Sequence, residues 1–173
     1  MPLSNSRPDR KGRCETHVPP NWVGDEATYF ITINCRNRGK RQLSVGDVPG
    51  KLFGTVGHYC GVGRWCPEIF LLMPDHLHAL IVFSWADGDG INAVLSDWKR
   101  YTARNIGIEW QRDYFDHRIR NDVDHAEKWA YIRDNPVRKG FVASYDQWPY
   151  VWFPNRTGWS DKPPEGETRI TTG

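Results

Sequence analysis

The sequence predicts an α+β protein: an antiparallel β-sheet with helices packed on one face. Three observations carry that expectation. Runs of β-branched and aromatic residues recur at strand length. Stretches with apolar residues at helical spacing lie between them. Two of the apolar runs follow each other directly and pivot on Pro74-Asp75, as hairpin strands do. At 173 residues and 20.1 kDa the chain fits one domain of ordinary size, and 39% hydrophobic residues are enough to build its core.

The elements follow in order. Residues 1–26 are polar and hold Pro2, Pro8, Pro19 and Pro20, which reads as a flexible lead-in. Thr28–Asn34 is a strand by composition, and the polar loop Arg36-Asn37-Arg38-Gly39-Lys40-Arg41 follows it. Residues 47–60 suit a helix, although Gly50, Gly54 and Gly57 weaken it. Glu68–Met73 and Leu77–Phe83 are the paired apolar strands. Asn92–Asn105 sets Val94, Leu95, Trp98 and Tyr101 at helical spacing. Asp113–Arg120 alternates as a strand, with Tyr114, Asp116, Arg118 and Arg120 against Phe115, His117 and Ile119. Asp122 is the expected N-cap of a last helix that Asn135-Pro136 should end. The folded core is then 27–153 and the tail 154–173. The resulting order, strand-helix-strand-strand-helix-strand-helix, is that of a ferredoxin-like split βαβ fold.

Composition excludes several classes. No run reaches the roughly 18 consecutive apolar residues of a membrane span, and the first 20 residues lack the apolar segment of a signal peptide. The cysteines at 14, 35, 60 and 66 form no CxxC pair, which points to a reduced, cytoplasmic protein. Cys60 and Cys66 with His58 nearby leave a zinc site open, on a weak Cx₅C signal. The net charge of +2 is a small footprint for a nucleic-acid binder. Yet 16 of the 23 cations are arginine, and the chain carries 9 Trp, 7 Tyr and 7 Phe. Arginine gives bidentate phosphate contacts and exposed aromatics stack on bases; core packing accounts for tryptophan equally well.

The sharpest local pattern is Met73-Pro74-Asp75-His76-Leu77-His78. On a strand, His76 and His78 point to one face while Leu77, Ala79 and Ile81 point to the other. Two imidazoles on one rigid strand supply half of a divalent-metal site, and two histidines inside an apolar strand are costly without partners. A second pattern is Tyr131-Ile132-Arg133-Asp134-Asn135-Pro136-Val137. Tyr131 and Asn135, four apart, share a helix face. An amide oxygen there completes a metal site and the phenol sits where it can attack phosphorus; alternatively Tyr131 is a core aromatic and Asn135 a helix C-cap before proline.

Together these patterns resemble the single-tyrosine HUH transposases, and more narrowly their REP-associated tyrosine transposase branch. The likeness runs from Thr28-Tyr29-Phe30 through Trp110 and Phe115-Asp116-His117-Arg118-Ile119-Arg120 to Trp148-Pro149. Glu26-Ala27 stand where that family usually has glycine. The resemblance implies an HUH nuclease core with His76, His78 and Asn135 holding Mg²⁺ or Mn²⁺. It makes Tyr131 a nucleophile that cleaves single-stranded DNA next to REP-like hairpins, through a 5′-phosphotyrosine and a free 3′-OH. A nucleoid-associated place in the cytoplasm goes with that role. Whether the chain acts as monomer or homodimer is not legible.

For DNA contacts the sequence offers Arg36, Arg38, Lys40 and Arg41 in the loop after the first strand. Lys99, Arg100 and Arg104 lie along one helix, and Arg118 and Arg120 on one strand face. His117 and His125 are candidate proton-transfer groups or structural residues. Two other functions stay open: a non-catalytic module that binds single-stranded nucleic acid on its sheet, and a small-phosphoester metallohydrolase.

Overall fold

The β-branched run at Thr28–Asn34 forms strand β1, and Val48–Gly61 follows as helix α1. Burial of Leu52, Phe53, Val56, Tyr59 and Cys60 outweighs the low helix propensity of its glycines. Strands β2 (Trp65–Leu72) and β3 (His76–Phe83) come next, then helix α2 (Ile91–Ile106), strand β4 (Phe115–Arg118), helix α3 (Asp122–Arg138) and the short strand β5 (Val151–Trp152). This structure, a computed structural model, describes residues 27–83 and 90–154. The expected lead-in at 1–26 and all but the first residue of the expected tail at 154–173 lie outside the described residues. Among those described, no helix is long and apolar enough to cross a membrane.

The strand order is β4-β1-β3-β2-β5, and every pairing is antiparallel. Strand β3 is inserted between β1 and β2, and β1 between β3 and β4. That interleaving of two split βαβ units is the ferredoxin-like arrangement, extended here by β5.

Contrary to the sequence expectation of helices on one face, they cover both faces of the sheet. Helices α1 and α2 cover the side of β3 that carries Leu77, Ala79, Ile81 and Phe83. Helix α3 covers the other side, where Ile132 packs with Phe30, Ile69, Leu71, Met73, Leu80 and Trp148. The physical reason is in β3, which is buried along its whole length and has apolar residues at both parities. Such a strand needs cover above and below.

Several boundaries also move. Strand β2 begins at Trp65, three residues before the expected Glu68, and accommodates Pro67 at a register shift against β3. Strand β4 stops at Arg118, so Arg120 lies in the turn before α3. The N-cap of α3 is Asn121, whose Oδ1 accepts from the Asp124 amide at 2.9 Å, rather than Asp122. Asn121→Ala is expected to lower stability by about 1 kcal/mol, as for other lost caps. Asp122→Ala keeps the cap and should cost less; urea melts of the two variants check the assignment.

Helix α3 runs past Asn135-Pro136 and ends at Arg138. Proline this close to a helix end removes one amide donor, and little helix beyond it is disturbed. The stop falls instead at Gly140, whose φ of 75° lies in the left-handed region, with the Lys139 amide closing on the Asn135 carbonyl at 3.0 Å.

Much of the aromatic excess fills the core on the α1/α2 side. Trp65, Trp98 and Trp110 form a chain of rings 5.6 and 5.5 Å apart. Each indole N–H is satisfied: Trp65 by the Val56 carbonyl, Trp98 by Thr55 Oγ1 and Trp110 by Thr102 Oγ1. Cys35, Cys60 and Cys66 are buried. Burial first, then the Asp75 carboxylate, pushes the Cys35 thiol up to about 12, so it is protonated and unreactive at neutral pH. Among the described residues no group of three or more His, Cys, Asp and Glu side chains is placed to hold a metal, so Cys60, Cys66 and His58 assemble no zinc site.

Candidate active site

The α3 face of the sheet carries the histidine pair. His76 and His78 lie on β3 with ring centroids 4.9 Å apart and planes crossed at 79°. Both are nearly buried, at 8% and 5% exposure. Their register partners on β1 are Asn34 and Thr32. His76 Nδ1 lies 2.7 Å from Asp75 Oδ1. An ionised carboxylate only accepts, so Nδ1 carries the hydrogen and the Nε2 lone pair is left for another partner. His78 Nδ1 lies 2.8 Å from Thr32 Oγ1. With Nδ1–H donating to that hydroxyl, its Nε2 lone pair is likewise available.

Asp75 belongs to the same cluster, although the sequence pattern alone gives it no role. Its Oδ2 accepts the Gly39 amide at 2.7 Å and lies 3.4 Å from Arg38 Nε. It therefore ties the loop after β1 to His76. Burial opposes its ionisation, but the His76 and Gly39 hydrogen bonds and the Arg38 charge together hold its carboxyl below the usual value. In the sequence it stands immediately before the first histidine of the pair.

Burial drives both imidazoles toward the neutral form. For His76 it outweighs the Asp75 interaction. For His78 it lowers the pKa to about 3, assisted by the charges of His76, Arg38, Lys139 and Arg138. Neutral imidazole is the form that binds a metal. The same shift has a consequence for stability. The unfolded chain takes up a proton at His78 below pH 6.5 that the folded chain refuses, so this contribution is complete above pH 6.5 and is lost as pH falls toward about 3. In chelator-containing buffer, the stability advantage of wild type over His78→Gln is expected to shrink by ~1.4 kcal/mol per pH unit between pH 6 and 4.5. Denaturant melts at a series of pH values measure it.

Helix α3 brings Tyr131 and Asn135 to this face. The Tyr131 ring meets His78 at 5.4 Å and Phe30 at 5.8 Å, both edge-on, and is 37% exposed. The Arg138 guanidinium lies over its ring at 4.7 Å. Tyr131 is therefore an open side chain beside the histidines rather than a core filler. Asn135 follows one helical turn later, 2% exposed, and its buried Oδ1 has no hydrogen-bond partner. It is not the C-cap, which is Lys139. An orphaned buried acceptor costs about 1–3 kcal/mol, and it is the kind of group a cation satisfies. Two imidazoles and an amide oxygen suit a divalent ion that keeps open positions for water or phosphate.

The sequence-selected cations divide between the two sides of the sheet. Arg36, Arg38, Lys40 and Arg41 are exposed in the loop next to Asp75, with Lys40 Nζ 3.8 Å from Glu109. Lys99, Arg100 and Arg104 lie on α2, across the sheet from the histidines. Lys99 is buried, donating to the Arg112 carbonyl at 2.7 Å, and Arg100 pairs with Asp97 at 2.8 Å. Arg118 stands opposite Tyr29, on the α1/α2 side. Arg38 in the loop after β1 and Lys139 and Arg138 at the end of α3 all place positive charge near His78, and Lys128 lies over the Phe30 ring at 5.4 Å. His117 pairs with Asp124 at 2.9 Å and His125 with Glu68 at 2.6 Å.

The candidate site is thus a His-hydrophobe-His pair on the central strand of a ferredoxin-like antiparallel sheet, with a tyrosine on the helix that crosses that face. The chain is similar to proteins named REP-associated tyrosine transposases. No protein-family model matches it. The REP-associated tyrosine transposase of Escherichia coli K12 is 28% identical over 135 residues, covering 73% of this chain and 76% of its own. A Haemophilus influenzae relative is also 28% identical, over 143 residues, covering 72% of this chain and 78% of its own. The solved structure of a REP-associated tyrosine transposase bound to a REP hairpin aligns with a TM-score of 0.65 at 23% identity, over 84% of this chain and 94% of that one.

Proposed function

We propose that this chain is a transposase-like DNA-cleaving enzyme that acts on single strands beside REP-type hairpins. The observation that carries it is the meeting of Tyr131 with the His78 ring, with Asn135 one turn beyond. The names of its relatives and the hairpin bound by its structural neighbour supply the substrate class.

The chemistry follows from the side chains. Tyr131 Oη attacks the scissile phosphorus; the Oη–P bond forms, the P–O3′ bond breaks, and the departing O3′ takes a proton to become a free 3′-OH. The phenol gives its own proton to solvent. The 5′-phosphotyrosine retains the phosphodiester bond energy for rejoining. Arg138 and Lys139 place positive charge where the attacked phosphate becomes more negative. His76, His78 and Asn135 would hold Mg²⁺ or Mn²⁺, which when bound polarises the phosphate oxygens. Asp75 and Thr32 fix the two ring orientations.

The test incubates the full chain and Mn²⁺ with hairpins that carry a randomised single-stranded flank, then runs a denaturing gel. A protein–DNA adduct that survives denaturant is the expected result. Its absence across the pool, with binding retained, would favour a non-catalytic binding module.

A further inference from the structure

We propose that Phe115 and Lys128 form a nucleotide subsite beside the tyrosine. In it a base stacks on the Phe115 ring, and the phosphate joined to that nucleotide meets the Lys128 ammonium. The proposal rests on the single-stranded DNA reading and deepens it.

Both residues are organised around one ring. Phe30 is 5% exposed and sits between the catalytic candidates and the edge of the sheet. It stacks on His78 at 5.6 Å with planes 19° apart, and meets Tyr131 edge-on at 5.8 Å. Lys128 Nζ lies 5.4 Å from its centre, and Phe115 meets it edge-on at 6.2 Å. Phe115 and Lys128 are thus each one side chain removed from the nucleophile.

Phe115 is 57% exposed, on the edge strand β4. With one edge held by Phe30, most of the ring is open to solvent, and an aromatic face accepts any base with little sequence preference. Lys128 precedes Tyr131 by three residues on α3, so both project over the same part of the sheet. Asp124, the carboxylate one turn earlier, already accepts from His117 Nε2 at 2.9 Å and from the Arg120 amide at 3.1 Å. A protein ligand would call for a larger apolar patch than one ring, and an anion alone would not use the ring. A nucleotide uses both groups.

The experiment uses the full chain with Tyr131→Phe as the parent, so that binding is read without cleavage. The probe is a hairpin oligonucleotide selected from the randomised-flank pool, with an abasic site moved through the flank. One flank position is expected to show about a tenfold or greater loss of affinity, the scale of a lost base stack. Adding Phe115→Ala should abolish the penalty at that position alone, and Phe115→Trp should restore it. Lys128→Gln should lower the slope of log affinity against log salt by about one. The same abasic profile with and without Phe115→Ala, or an unchanged salt slope for Lys128→Gln, would overturn the subsite. Adduct formation by wild type is scored separately. If no adduct forms while the Phe115-dependent profile persists, the nuclease reading falls and the subsite stands; if no pool member binds, both fall.

Discussion

Tyr131→Phe is expected to abolish the denaturant-stable protein–DNA adduct while leaving hairpin binding within about twofold of wild type. The substitution removes one oxygen and keeps the ring that meets His78, Phe30 and the Arg138 guanidinium. Loss of a covalent nucleophile closes the reaction path rather than slowing it, so the fall in strand cleavage should be on the order of 10⁴-fold or more. Tyr145 is a useful control. It is also exposed, but its ring lies under Arg133, at 4.8 Å, two residues beyond Tyr131 on α3. Tyr145→Phe should leave the adduct intact. Adduct formation by Tyr131→Phe at the wild-type rate would remove the tyrosine from the mechanism.

Which parts of this site could be seen in the sequence follows from which geometries are local. Strand parity places His76 and His78 together without knowledge of anything else, and helix spacing does the same for Tyr131 and Asn135. Arg138, seven residues after Tyr131, shares that face by the same spacing, although it stands outside the densest charge runs. The side of the sheet on which a helix lands is not local. Lys99, Arg100 and Arg104 satisfy the helical spacing and still sit across the sheet from His76 and His78, because α2 packs its apolar stripe on Leu77, Ala79 and Ile81. Asp75 needs the loop of residues 36–41 folded back on it before its role shows. The end of α3 is set by non-local packing in the same way. Pro136 disfavours helix for Asn135, yet burial of Ile132, Asn135 and Pro136 against the sheet outweighs that preference. As a result Asn135 lies within the helix with its Oδ1 buried and unpaired, instead of capping it at the surface.

That unpaired oxygen separates a ligand from a structural amide. Asn135→Leu has nearly the same volume and removes a buried acceptor without a partner, so the variant should be as stable as wild type or more stable by about 1 kcal/mol. A structural asparagine would behave in the opposite way. The same variant is expected to weaken Mn²⁺ binding by at least 10–100-fold, the loss already seen when only a supporting residue of a metal site is removed. His76→Ala with His78→Ala should abolish binding altogether, since two of the three donors go. Asn135→Asp should bind Mn²⁺ more tightly than wild type because the added charge offsets that of the ion. Titration calorimetry with MnCl₂ on the DNA-free protein reads affinity, and urea melts in chelator read stability. If Asn135→Leu is destabilised and binds Mn²⁺ as wild type does, Asn135 is part of the packing and the ion is held by other groups. If it is stabilised and metal-deficient, the folded protein carries a stability cost at one atom that only a bound cation relieves.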